Sequence, residues 1–156
     1  MDISTRLEFA APPTEVYAML TDQAYLEEVC VACHSVAYSA SVQGQVTRTS
    51  RTLTAPESAA RFTGPTLEVH DETVWGAAQA DGSRTAQVKL TVAGQPVSLN
   101  AQMALAQGGP GSVVTMTGEL KAAIPFLGKK IEQGAAPAVL AGFETQQQVG
   151  ESWLSR

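Results

Sequence analysis

Cys30-Val31-Ala32-Cys33-His34 is the densest cluster of reactive side chains in this sequence. It matches the Cys-x-x-Cys-His string of covalent haem attachment, in which two thiols one helical turn apart add to vinyl groups and the adjacent histidine ligates iron. The same thiols have the spacing of a redox dithiol. With His34 and His70 they also supply the ligand types of a zinc site. Each of these readings lacks its context. Haem attachment wants export and a small helical chain, a redox dithiol wants a βαβ unit, and structural zinc wants its ligands in spaced pairs. The plainer reading makes Cys30 and Cys33 small apolar residues on the inner face of a helix. No metal and no cofactor are expected.

His70 stands among Glu68, Asp71 and Glu72, and a histidine beside carboxylates is a candidate general base. Strand parity puts Glu68, His70 and Glu72 on one face, opposite Leu67 and Val69, which favours a solvated outer surface. Asp71 has the parity of Leu67, Val69, Thr73 and Trp75. An inward carboxylate wants a basic partner, and Arg48, Arg51 and Arg84 are the arginines on strands or strand edges. Such a pair would orient a ligand or act as an acid. The commoner outcome for such an aspartate is a bulge or an outward pair.

Gln146 is a polar amide on an otherwise apolar helical stripe. Left without a partner in a buried site it costs about 1–3 kcal/mol, so it is a candidate contact for a ligand carbonyl or hydroxyl. A backbone group or a trapped water would satisfy it equally. Val139 and Phe143 share its stripe. Trp75, Leu90, Leu99, Met103 and Met116 supply apolar surface from the strand segments, and Phe62 lies in a connection, Thr54 to Thr66, that reads as a candidate lid. Ordinary core packing is the plain alternative for each of these residues alone. No catalytic residue is assigned.

The elements that must position these groups are legible from period and punctuation. Ile3, Thr5, Leu7 and Phe9 alternate with polar residues and predict a strand. Pro12-Pro13 open a helix, because proline lacks only a donor that the first turn leaves unused. Thr21-Asp22 stops that helix and caps a second one carrying Tyr25, Leu26, Val29 and Cys33. From Val36 the period is two, and Gly44, Asp81-Gly82, Gly94-Gln95-Pro96 and Gly108-Gly109-Pro110-Gly111 mark turns. A single long helix is predicted from about Gly128 to Trp153. Its inner stripe reads Ile131, Ala135, Ala138, Val139, Gly142, Phe143, Gln146, Val149 and Trp153. Pro137 is expected to kink it unless the helix starts there.

These elements, a run of about seven strands with two short helices after the first and one long helix at the end, give an α+β class. A curved antiparallel sheet wrapped around the last helix follows. One domain spanning 1–156 fits the length. Hydrophobic residues make up 44% and charged residues 16%, which is globular composition. Net charge is −5 and no basic cluster exceeds Lys129-Lys130, so no nucleic-acid footprint is present. The same acidic balance argues against anionic membrane surfaces. No apolar run approaches the roughly 20 residues of a membrane span. The opening residues carry no basic-then-apolar leader, so a cytoplasmic location with reduced thiols is expected. Oligomeric state is not legible.

Two segments resemble a known family. Ala11-Pro12-Pro13-Thr14-Glu15-Val16-Tyr17-Ala18-Met19-Leu20-Thr21-Asp22 is similar to the opening of the START-like superfamily, also called SRPBCC, where a proline-led helix ends in a Thr-Asp or Ser-Asp step. Gly118-Glu119-Leu120-Lys121 through Ile124-Pro125-Phe126-Leu127-Gly128-Lys129-Lys130-Ile131-Glu132 resembles the last-strand-to-helix junction of a bacterial family of unknown function within that superfamily. Glu144 through Gln148-Val149-Gly150-Glu151-Ser152-Trp153-Leu154 matches the same pattern. The chain departs from it at Gly134, where a bulkier residue is usual.

The resemblance implies a helix-grip fold with an apolar cavity between sheet and last helix. It also implies the superfamily's functions, namely binding of lipids, sterols, polyketides or hormones, with a minority of cyclases and dehydratases. The expected partner is therefore a small hydrophobic molecule. The alternatives are a cyclase- or dehydratase-type enzyme using Asp71 or Tyr38, and an interaction module whose own side chains fill the cavity. The alanines at 135, 136, 138 and 141 leave room and weigh against the last.

Overall fold

The computed structural model describes residues 1–156, the side chain of Ser58 excepted. Strand β1 (Asp2–Phe9) leads into helices α1 (Pro13–Leu20) and α2 (Gln23–Ala32). Strands β2 (Ala37–Gln43) and β3 (Val46–Thr54) follow, then α3 (Glu57–Thr63) and β4 (Thr66–Trp75). Strands β5 (Arg84–Val92), β6 (Val97–Gly108) and β7 (Gly111–Ala122) lead to α4 (Gly128–Leu154). Pro13 starts α1, and the Asp22 carboxylate accepts from the Ala24 N–H at 2.8 Å to cap α2.

The seven strands form one antiparallel sheet ordered β1-β7-β6-β5-β4-β3-β2. Consecutive strands pair from β2 to β7; turns join all but β3 and β4, which α3 connects, with Gly44, Gly82, Gly94 and Gly109 supplying positive φ. The first strand closes onto the last, Leu7 opposite Val114. The sheet is curved, and α4 lies against its inner face in a helix-grip arrangement.

Alternation sorts the strands as the sequence predicts. Val69, Trp75, Ala86, Val88, Leu90, Leu99, Met103, Met116 and Leu120 are buried on the inner face with Phe143 of α4. The helix α4 lies closest to β1, β7 and α2. The Gln147 Oε1 accepts from the Glu8 N–H at 2.8 Å, which satisfies a backbone donor on edge strand β1. Glu132 Oε2 accepts from the Ala122 N–H at 3.1 Å, and this bond holds its carboxyl below the ordinary range.

One expectation for α4 changes, the course of its buried stripe. The helix is continuous from Gly128 to Leu154 and runs through Pro137. Pro137 and Gln133, whose carbonyl loses its intrahelical donor to the proline, are both exposed to solvent. The buried stripe passes through Ala136, Phe143 and Gly150, seven residues apart, while Ala138 is exposed. Among the described residues no helix is long and apolar enough to cross a membrane.

Candidate functional site

Asp71 decides where chemistry concentrates. The ladder from Val69 to Val74 is unbroken against both β3 and β5, so no bulge rotates this strand. Asp71 lies opposite Thr49 on one side and Leu90 on the other. Its carboxyl therefore faces inward, and the expected bulge or outward pair is not what the chain builds. Thr73, two residues on and 8% exposed, donates its hydroxyl to Asp71 Oδ1 at 3.4 Å. Burial raises the Asp71 pKa, with the Arg51 charge and the Thr73 bond pulling the other way.

The three candidate arginines separate cleanly. Arg48 is on the outer face and pairs with Glu72 at 2.8 Å. Arg84 lies 3.6 Å over the Tyr17 ring and donates to the Gly76 carbonyl at 3.0 Å. Arg84 has inward parity at the far end of β5, so Arg51 is the one of the three that shares Asp71's face nearby, two residue pairs along the β3–β4 ladder, opposite Val69 and Tyr38. Its Nη1 donates to Cys33 Sγ at 3.4 Å, and its Nε is buried without a partner among the described residues. No ion pair within 4.0 Å joins Arg51 to Asp71 among those residues. The other buried polar side-chain atom without a partner is the Ser35 hydroxyl, between α2 and β2.

The cysteines border this corner. Cys30 is buried and its thiol is pushed up to about 11 by desolvation, against the opposing charge of Arg51. Cys33 is half-buried at the end of α2, and His34 closes that helix at φ +60°. Both thiols are free. Among the described residues no three His, Cys, Asp or Glu side chains are placed to hold a metal.

The sequence-derived ligand candidates fall into three groups. Trp75, Leu90, Leu99, Met103, Met116 and Phe143 are buried, and Trp75 packs edge-on to Tyr17 at 5.5 Å. Val139 and Gln146 are half-buried on α4. The Gln146 carbonyl accepts from the Tyr25 hydroxyl at 2.8 Å, and burial raises that phenol's pKa. Phe62 is 58% exposed on α3. Sequence reasoning passed over Leu53, Leu67, Val92 and Val97, which have inward parity yet remain half-buried. Their signal was available in the strand alternation.

His70 is on the outer face, its Nε2 3.4 Å from Glu68 Oε1, as parity predicts. A groove of about 870 Å³ lies on that face, lined by Gln87, Lys89, Asn100, Gln102 and Thr117. Its strand-paired side chains are solvated, and neither orphaned polar atom faces it.

The fold has solved counterparts. A protein from Thermus thermophilus superposes with a TM-score of 0.66 at 15% identity, covering 97% of this chain and 95% of the other. A STAR-related lipid transfer protein from Xanthomonas axonopodis gives 0.65 at 15% identity, covering 99% and 86%. The di-domain ARO/CYC protein StfQ of the steffimycin biosynthetic pathway gives 0.65 at 12% identity, covering 97% of this chain and 50% of that one. No curated protein matches the sequence. A family model described as protein of unknown function (DUF2505) matches residues 4–154, so the chain belongs to that family, whose member here has the START-like helix-grip fold.

Proposed function

We propose that the chain binds a small apolar molecule between the inner face of the sheet and α4. One observation carries the reading. Leu53, Leu67, Val92 and Val97 face inward on β3 to β6 but stay half-buried, while α4 lies closest to β1, β7 and α2. Apolar side chains of a closed core would be covered completely. The helix opposite is thin as well, since a Cβ added at Gly142 would meet nothing within 4 Å.

A ligand burying about 200 Å² of apolar surface there gains about 5 kcal/mol before the cost of immobilisation. Val139, Phe143, Leu90 and Met103 contribute walls, and the Gln146 amide a polar contact. A lipid transfer protein and an ARO/CYC protein share the fold, which supports a hydrophobic cargo. The inward Asp71 favours a second reading, since a buried carboxyl with a raised pKa has the character of a general acid for cyclisation or dehydration.

Native mass spectrometry of protein purified from its own host, followed by denaturing extraction, tests both. A co-purified apolar molecule supports binding. A carrier releases an offered ligand unchanged, and an enzyme returns it transformed. An empty protein that takes up no apolar compound on reloading rules the proposal out.

A further inference from the structure

We infer that the corner formed by Arg51, Asp71, Cys33 and Ser35 receives the carboxylate of an amphipathic monocarboxylic acid, whose tail lies along the apolar inner face. This inference rests on the apolar-ligand reading above.

Buried polar groups in folded chains are almost always paired. The two that are not, among the described residues, are Arg51 Nε and the Ser35 hydroxyl. Both belong to the junction of α2, β2 and β3. Arg51's one side-chain bond goes to a thiol sulfur, a weak acceptor. A guanidinium in such surroundings lacks an oxygen acceptor.

The charge count narrows the choice. Arg48 and Lys89 lie on the outer rows of β3 and β5, and Arg84 is engaged with Tyr17. Arg51 is therefore the single cation on this part of the inner face. One cation suits a monoanion rather than a phosphate dianion. Asp71 fits the same choice, because burial raises its pKa and in the acid form its O–H donates to a bound carboxylate. The ligand carboxylate would accept from Arg51 on one side and from Asp71 on the other, bridging two groups that form no ion pair with each other. Beyond the head, Leu53, Leu67, Val69, Leu90 and Val92 are the inward neighbours on β3, β4 and β5.

The test titrates delipidated protein with straight-chain alkanoates from decanoate to stearate, each beside its methyl ester. The acid is expected to bind about 10- to 100-fold more tightly than the ester, the range for a charge-assisted hydrogen bond. Arg51→Met should erase that preference and leave ester binding intact, and Arg51→Lys should restore part of it. Asp71→Asn should keep it, because the amide still donates. If Arg51→Met fails to fold, the acid-to-ester ratio of the native protein and of Asp71→Asn decides. Equal binding of acid and ester overturns the carboxylate site and leaves the apolar pocket standing. Binding of neither overturns both.

Discussion

Asp71 and Arg51 are inward on adjacent strands, two residue pairs apart along the ladder, and they do not form an ion pair. Burial raises the Asp71 pKa above the ordinary 3.8, against the lowering effects of the Arg51 charge and the Thr73 bond. The folded chain binds this proton more tightly than the unfolded chain does. Asp71 accordingly contributes its full stability below the ordinary value and loses it as pH rises through the raised folded value. Asp71→Asn mimics the neutral acid at every pH. Its melting temperature should match the native protein's near pH 4 and exceed it by about 2–4 °C for each kcal/mol by about pH 8. Thermal unfolding of both proteins across that range checks this, and a difference independent of pH would contradict it.

The two cysteines should separate in reactivity. Burial pushes the Cys30 thiol up to about 11, so almost no thiolate exists near neutral pH. Cys33 is half-buried and accepts an N–H from Arg51. A chromogenic disulfide reagent near pH 8 should titrate Cys33 first and reach Cys30 only after denaturant is added. Mass mapping of the modified peptide identifies the thiol, and rapid labelling of Cys30 in the native protein would show the burial assignment to be wrong.

Much of the fold was legible because punctuation and period agreed. Glycines with positive φ stand at the predicted turns, and alternation sorted His70 outward and Leu90 inward. Asp71 shows where parity and chemistry conflicted. Parity pointed it inward, the cost of a buried carboxylate argued against that, and the unbroken ladder on both sides fixed the outcome. The contact between Arg51 and Cys33 was beyond reach, since it needs the end of α2 to come beside β3 in the folded chain. In α4 the first half is rich in alanine and glycine, so its apolar period is faint. The stripe was placed through Ala138 when the helix buries Ala136.

Glycine carries no side-chain signal, and α4 uses its glycines in opposite ways. Gly150 sits against the Phe9 ring and the Met19 methyl, with no room for a Cβ. Gly150→Ala should destabilise by about 1–3 kcal/mol through overpacking, outweighing the gain of about 1 kcal/mol in helix propensity. Gly134 is exposed, and a Cβ there meets nothing within 4 Å. Gly134→Ala should therefore stabilise by about 1 kcal/mol. Denaturant midpoints of the two variants, read beside the native protein, should move in opposite directions.

Open space on the inner face predicts unequal responses to added bulk. Leu99 is fully enclosed, whereas Val92 has inward parity on the neighbouring strand and remains half-buried. Leu99→Trp must displace packed neighbours, at a cost of about 1–3 kcal/mol or more. Val92→Trp has unfilled volume to enter, so its stability should fall by less than about 1 kcal/mol, within the range of a tolerated swap. The same indole would occupy the volume assigned to the ligand tail. Binding of an alkanoate should therefore weaken at least tenfold, a loss of about 1.4 kcal/mol. A Val92→Trp protein that stays folded and binds as tightly as the native chain would place the ligand somewhere other than between the sheet and α4. If Val92→Trp is as destabilised as Leu99→Trp, the inner face is already full, and the chain is then an interaction module rather than a carrier.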